Sequence, residues 1–343
     1  MYCPVCGGSC IEDAPSLLTE APRIFTPCPD CMGLTFDKRA PPPDLAPAEP
    51  CPSCGKRFID EVFAHIYRIM NEEGDLSGTE PLAAAGTPLI HPGYALQQPP
   101  YLPVRSLVLL SRAITKKSAD RLVAEVPEVR GVVQTGDGVP GITDPDRDSA
   151  GRTHTLLAGC DVRADIFSTR AGPVVIYKQQ STIHIEFSRG HDPKIRALDG
   201  AIRQKNPKTL VDACSGAGTL GIAAAAAGVP HVICNDAWYA AAFWTACNIV
   251  VNRDTLAIDA VRILRRYDDL RQRPVAGEPL LVAEAAGARQ VEVYHGDLRM
   301  LAPLLQRRAD LAVLDLFEKS ETGKVKEMAT MWTKVVGGEV FIP

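Results

Sequence analysis

Seven of the 11 cysteines of this 343-residue chain lie within its first 54 residues. Six form Cys-x-x-Cys pairs, Cys3/Cys6, Cys28/Cys31 and Cys51/Cys54, and Cys10 stands beside the first pair. Proline follows the first cysteine of each pair, and glycine follows Cys6 and Cys54. Such a knuckle turns the backbone so that two thiolates meet one metal, at about 2.3 Å each for zinc. Pairs spaced by about 20 residues suit a tetrahedral site with four thiolates. The ligands expected are therefore Cys3, Cys6, Cys10, Cys28, Cys31, Cys51 and Cys54, for one or two zinc ions. Two connectivities fit. Either Cys3, Cys6, Cys28 and Cys31 share one ion and Cys51 and Cys54 recruit Cys10 and His65, or Cys28, Cys31, Cys51 and Cys54 make the complete site.

A second chemistry-bearing segment runs from Thr209 to Gly221, reading TLVDACSGAGTLG. An apolar strand ends in Asp212 and enters a turn with glycine at 216, 218 and 221. The spacing G-x-G-x-x-G by itself is shared with nicotinamide enzymes. There the glycines cradle a pyrophosphate, and an acid such as Asp212 before the loop would repel that anion. It suits a ligand carrying an ammonium and a sulfonium. The next strand ends in Asn235-Asp236-Ala237, where an acid can accept two ribose hydroxyls. Asp297-Leu298 follows a later strand, where an acid can accept an adenine amino group, and Asp315 follows another.

Acids at four successive strand ends, with glycines after the first, resemble the class I S-adenosylmethionine-dependent methyltransferases. The resemblance implies cofactor contacts from Asp212, Cys214, Ser215, Gly216, Gly218, Asn235, Asp236, Ala237, Asp297 and Leu298. Asn235-Asp236 followed by Asn248 and Asn252 is similar to the helix after the second strand in nucleic-acid methyltransferases. Val129–Val133, Gly138–Gly141 and Leu156–Gly159 resemble the domain before the catalytic core in archaeal and eukaryotic tRNA guanine methyltransferases and their wyosine-synthesis relatives. RNA, with tRNA foremost, is the substrate this implies. Methyl transfer to a protein or small metabolite, with the zinc module docking a partner, is the alternative. A non-catalytic binding module is a third reading. Transfer of an aminocarboxypropyl group stays open as well, because wyosine-type relatives use the same cofactor for it. The family's Asn-Leu-Pro type motif is replaced by Asp315-Leu316-Phe317-Glu318. Asp315 and Glu318, with Glu321 behind them, are the candidate general bases, since proton removal from a nucleophile needs a nearby acceptor.

The elements that must position these groups follow from periodicity. Residues 58–71 carry apolar side chains at three-to-four spacing and predict a helix. Residues 105–190 predict a small α+β domain, with strands at 106–111, 131–135, 164–167, 174–178 and 182–187. Residues 191–343 alternate strand and helix, which implies a doubly wound, mostly parallel, Rossmann-like sheet. Its strands fall near 209–213, 231–235, 291–294, 311–315 and 338–342. The chain then reads as a Cys-rich zinc-ribbon-like module with a helix (1–73), a Pro/Gly-rich linker (74–104), the small domain and the methyltransferase domain. Residues 255–289 are long for one crossover and predict an added helix on the substrate side. The sheet either stops short or is completed by strands from 164–187.

Composition bounds the rest. Hydrophobic residues at 46% and charged residues at 23% exclude disorder of the whole chain. A net charge of −4 excludes a generic polyanion coater, and no DNA partner is expected. Basic clusters at Arg105, Arg112, Lys116, Lys117 and Arg121, and at Arg189, Lys194, Arg196, Arg203, Lys205 and Lys208, are local candidates for phosphate contacts. No apolar run is long enough to span a membrane, and the start lacks a secretory pattern. A cytoplasmic chain with reduced thiols is expected, so the cysteine pairs read as metal ligands. An iron–sulfur cluster is the second choice, because Cys3, Cys6 and Cys10 read C-x2-C-x3-C rather than the radical-enzyme C-x3-C-x2-C. Cys214, Cys234 and Cys247 read as small buried side chains.

Overall fold

The computed structural model describes residues 1–142, 150–187, 190, 192–305, 309–316 and 322–343. The N-terminal part holds α1 (Ala14–Ile24), β1 (Arg57–Phe58) and α2 (Ile59–Glu72). Asp13 starts α1 by accepting a hydrogen bond from the Ser16 N–H at 2.9 Å. Helix α2 buries Val62, Phe63, Ile66, Tyr67, Ile69 and Met70 on one face, the face its spacing predicts.

Strands β2 (Thr87–Ile90), β3 (Tyr101–Leu102), β4 (Leu107–Ser111), helix α3 (Lys116–Glu125), β5 (Val129–Gln134) and β6 (Thr155–Gly159) follow. Strands β2-β4-β5-β6 form one sheet in that order, with β4 and β5 parallel. The Pro/Gly-rich stretch expected as a linker therefore contributes β2 to this sheet and β3 to a pair with β1. Arg57 and Glu128, both buried, pair across this junction.

Strands β7 (Val162–Thr169) and β8 (Gly172–Gln179) form a two-stranded antiparallel sheet, bridged at Asp165 to Gly93. Residues 182–187 are irregular rather than the strand that their alternation predicts. Then come α4 (Pro193–Lys205), β9 (Thr209–Asp212), α5 (Thr219–Ala226), β10 (His231–Asp236), α6 (Tyr239–Val251), β11 (Ile258–Ile263), α7 (Tyr267–Arg271), β12 (Leu280–Gly287), β13 (Gln290–His295), α8 (Leu298–Leu301), β14 (Leu311–Val313), α9 (Thr322–Val335) and β15 (Glu339–Phe341).

The main sheet has seven strands in the order β11-β12-β13-β10-β9-β14-β15. Strands β13, β10, β9, β14 and β15 are mutually parallel. Numbered by succession, these five lie 3-2-1-4-5, the doubly wound order. The fold is the Rossmann-like core expected, with a small α+β domain and a Cys-rich N-terminus. Strand β9 is buried along its whole length, as a central parallel strand covered on both faces must be.

The sheet is completed differently from expectation. Strands β7 and β8 do not join it, and residues 255–289 supply an antiparallel pair, β11 and β12, beside the short α7. The β7–β8 pair docks on α6 instead. Asn248 accepts from the Tyr177 N–H at 2.7 Å and donates to its carbonyl at 2.9 Å. Asn252 does the same for Val175, at 2.9 and 2.6 Å. Spaced by four on one helix face, the two amides stand in for the ladder of a neighbouring strand. These asparagines, which resemble a nucleic-acid signature in sequence, serve packing.

Candidate functional site

The parallel strands bring their carboxyl ends to one edge. Asp212 is level with Cys234 of β10 and Val313 of β14, and Asp236 is level with His295 of β13. The chain leaves β9 for β10 on one side and reaches β14 on the other, so a crevice opens at the switch point. A cavity of about 940 Å³ fills it.

Each glycine of the turn has its own reason. Gly216 and Gly218 hold φ of 54° and 89°, in the region where a side chain is strained. A Cβ on Gly221 would sit 2.4 Å from Cys234 Sγ, so its absence lets α5 close onto β10. The Gly221 N–H then donates to Asp212 Oδ2 at 2.9 Å.

Asp212 is fully buried, and its other oxygen, Oδ1, has no hydrogen-bond partner among the described residues. Burial, then the nearby Asp315 and Asp236, push its carboxyl up to about 8. Asp212, with its unpartnered oxygen, and Asp236 thus set two acids at one end of the cavity, an arrangement that can accept positive charge, while Asp315 beside them is paired with Lys194. Asp236 accepts from the Gly216 and Trp238 N–H groups, both at 2.9 Å, and burial raises it to about 6. A carboxylate offers about four lone-pair positions, so Asp236 keeps two for a diol.

Eight of the ten residues expected to touch a cofactor line the cavity; Gly218 and Asn235 do not. The Asn235 amide donates to the Ala213 and Gly296 carbonyls at 3.1 and 2.9 Å and ties three strand ends together. Asp297 lines the cavity but caps α8, accepting from the Arg299 N–H at 2.7 Å and from its guanidinium. Its acceptor positions are committed, so an adenine amino group there would compete with Arg299.

The cavity is also lined by Ile183, His184 and Glu186 of the irregular segment, with Lys178, Lys194 and Asp315. Lys194 Nζ lies 2.6 Å from Asp315, and Lys178 Nζ lies 2.5 Å from Glu186. Lys178, then burial, sets Glu186, whose carboxyl lies below its ordinary value. Burial, first among its causes, lowers His184. This polar wall was hidden in the sequence, where the alternating Thr182–Phe187 reads as a half-exposed strand. Its His184 and Glu186 line the cavity, together with Ile183. Glu318, Glu321 and Arg189 lie outside the described residues.

The cysteines fall into two groups of four, Cys28/Cys31/Cys51/Cys54 and Cys3/Cys6/Cys10/Cys160, each with its sulfurs within 4.8 Å of one another. In the first group neighbouring sulfurs lie 3.7, 3.6 and 3.4 Å apart. Cys3 and Cys6 do not meet Cys28 and Cys31, and His65 belongs to neither group. Its Nδ1 lies 3.2 Å from Arg57. Cys160, between β6 and β7, was not expected; no local spacing signals it. Cys234 and Cys247 are buried, and Cys214 lines the cavity.

Much of the expected basic surface is spent on acids. Arg112 pairs with Asp137, Lys116 with Asp120, Lys117 with Glu73, and Arg121 with Glu72, Glu73 and Glu125. A different group of exposed arginines, Arg265, Arg266, Arg271 and Arg273, surrounds α7, with exposed Asp268 and Asp269 between them, while Arg262 of β11 pairs with Glu284 at 3.5 Å. The segment after α7 reaches the cavity rim, because Pro274 accepts from Tyr239 N–H and Gly277 from Asp297 N–H, both at 2.9 Å. No helix among the described residues is long and apolar enough to cross a membrane.

No family model matches this chain, and no curated protein matches it. Solved structures do. Trm1 from Pyrococcus horikoshii, in complex with S-adenosyl-L-methionine, is 18% identical, with 52% of this chain and 42% of that one covered, at a TM-score of 0.36. Trm5b from Pyrococcus abyssi is 13% identical over 68% of this chain and 56% of that one, also at 0.36. TYW2 from P. horikoshii, in complex with MeSAdo, is 15% identical over 81% and 76%, at 0.38. The chain thus spans about half the length of the first two. The strand order and the crevice it opens define the fold independently of these likenesses.

Proposed function

We propose that this protein is an S-adenosylmethionine-dependent methyltransferase acting on RNA, with tRNA foremost, and that the Cys28/Cys31/Cys51/Cys54 group holds a structural zinc ion. The observation that carries the enzymatic reading is Asp212, a buried carboxylate with one unpartnered oxygen beneath a glycine turn at the switch point. The residues present fit the cofactor's parts: Asp212 faces a cation, Asp236 keeps acceptor positions for a diol, and Gly216 leaves the approach open, since a Cβ there would meet nothing within 4 Å.

When bound, the cofactor supplies an electrophilic methyl group on a sulfonium. The chain's own residues then bind and orient the acceptor. Lys194 holds Asp315 at the carboxyl end of β14, facing the cavity, where that carboxylate can take a proton from an attacking nitrogen. Lys178 and Glu186, paired with each other, present a donor and an acceptor to the same cavity. Positioning of this kind supplies much of the rate of a transfer whose electrophile is already activated.

RNA is favoured by the exposed Arg265, Arg266, Arg271 and Arg273 around α7, on a segment that continues to the rim of the cavity. Incubation with methyl-labelled cofactor and either total tRNA or a protein-and-metabolite extract tests the reading. Label in tRNA that is lost in Asp212→Asn supports it. Label confined to the extract moves the acceptor to protein or metabolite. No binding of the cofactor by calorimetry overturns the enzymatic reading itself.

A further inference from the structure

We propose that Cys160 is the fourth ligand of a second structural zinc site, with Cys3, Cys6 and Cys10, and that this ion clasps the N-terminus to the corner from which the polar wall of the cavity hangs. The site does not depend on the methyltransferase reading.

Four sulfurs about 2.3 Å from a tetrahedral zinc lie roughly 3.8 Å from one another. Cys3 and Cys160 are 3.8 Å apart, Cys10 and Cys160 3.8 Å, and Cys6 and Cys10 3.7 Å. A disulfide would need about 2.05 Å, so the spacing is that of a metal cage rather than of a bond. The knuckle has the same backbone as the one in the other group. Cys3 N–H donates to Gly8 and receives Gly7 N–H at its carbonyl, both at 2.9 Å. Cys51 pairs with Lys56 and Gly55 in the same way, at 2.9 and 2.7 Å. Gly7 and Gly55, four residues after Cys3 and Cys51, hold φ of 66° and 71°.

Cys160 is held rigidly. Its N–H donates to the Arg130 carbonyl at 2.7 Å. A Cβ on Gly131 would lie 2.3 Å from the Cys160 carbonyl oxygen, and one on Gly159 2.3 Å from that of Arg130, so the corner is pressed onto β5. The next residue, Asp161, accepts from the Ser181 N–H at 2.7 Å, and Ser181 opens the segment carrying Ile183, His184 and Glu186. On the other side Glu12 N–H donates to the Tyr177 hydroxyl at 3.0 Å, and Ala14 and Leu17 of α1 enter the apolar core shared with β8 and α6. Cys3, Ile11, Ala14 and Leu17 therefore pack as part of the core, while Tyr2 and Cys6 stay exposed. A soft divalent ion with a tetrahedral preference suits four thiols.

The test is metal content of the full chain by plasma mass spectrometry. Two zinc ions per chain are expected, falling to one in Cys160→Ser, and to one in Cys28→Ser/Cys31→Ser. Cys6 is exposed, so Cys6→Ser serves if Cys160→Ser does not fold, with the same loss of one ion expected. Alkylation of the native chain gives a second readout. Exposed Cys6 should resist iodoacetamide until a chelator is added, together with half-buried Cys10. Retention of two ions by Cys160→Ser, one ion in the wild type lost only with Cys28/Cys31, or immediate alkylation of Cys6 overturns the proposal.

Discussion

Cofactor binding should release a proton, and Asp212 should be its source. The carboxyl lies near 8 because it is buried beside Asp315 and Asp236, so at pH 7 roughly nine chains in ten carry it protonated. A cationic ligand at its unpartnered oxygen requires the ionised form. Calorimetry at pH 7 in buffers of different ionisation enthalpy should therefore show close to one proton released per cofactor bound. The dissociation constant should fall about tenfold per pH unit between pH 6 and 8, then level. In Asp212→Asn the release should vanish and the affinity at pH 8.5 should drop roughly 10–100-fold, the size of a lost hydrogen bond to a charged group. Stability has the opposite sign. The native carboxyl binds its proton more tightly than the unfolded one, whose pKa is near 3.8, so the cofactor-free chain loses stability as pH rises from about 4 to 8. Asp212→Asn removes that loss and should melt higher than wild type at pH 8. A wild-type affinity independent of pH between 6 and 8, or equal proton release from the variant, would refute the reasoning.

Three further outcomes are expected. Asn248→Ala leaves the buried Tyr177 N–H and carbonyl without their amide, and should cost about 2–6 kcal/mol in a denaturant titration, at 1–3 for each of these two groups. Asp315→Asn should lower turnover on the methyl acceptor at least tenfold while cofactor affinity by calorimetry above about pH 8.5, where Asp212 is mostly ionised in both, stays within a factor of a few. Arg265→Ala/Arg266→Ala should weaken tRNA binding and reduce the slope of log affinity against log salt by about 1.4, given roughly 0.7 per phosphate contact, with an unchanged melting temperature.

The sequence by itself determined the alternation of strands and helices after residue 191, the α2 face, and the glycine turn with its acids. These are local: a fully buried parallel strand, an amphipathic helix and a left-handed glycine each leave a signature within a few residues. It also determined that the N-terminal cysteines come in knuckles, since the Cys-x-x-Cys-Gly turn is a short-range geometry. Tertiary structure alone decided which thiols meet. Cys160 is 150 residues from Cys10 and joins it only because β6 and β7 turn beneath the N-terminus. It also decided the roles of the polar residues. Asn248 and Asn252 bind the backbone of β8, 71 and 77 residues away, and Lys194 meets Asp315 across 121 residues. A residue type limits which hydrogen bonds can be made, but the partner is chosen by whatever backbone or side chain the packing of distant elements brings within 3 Å.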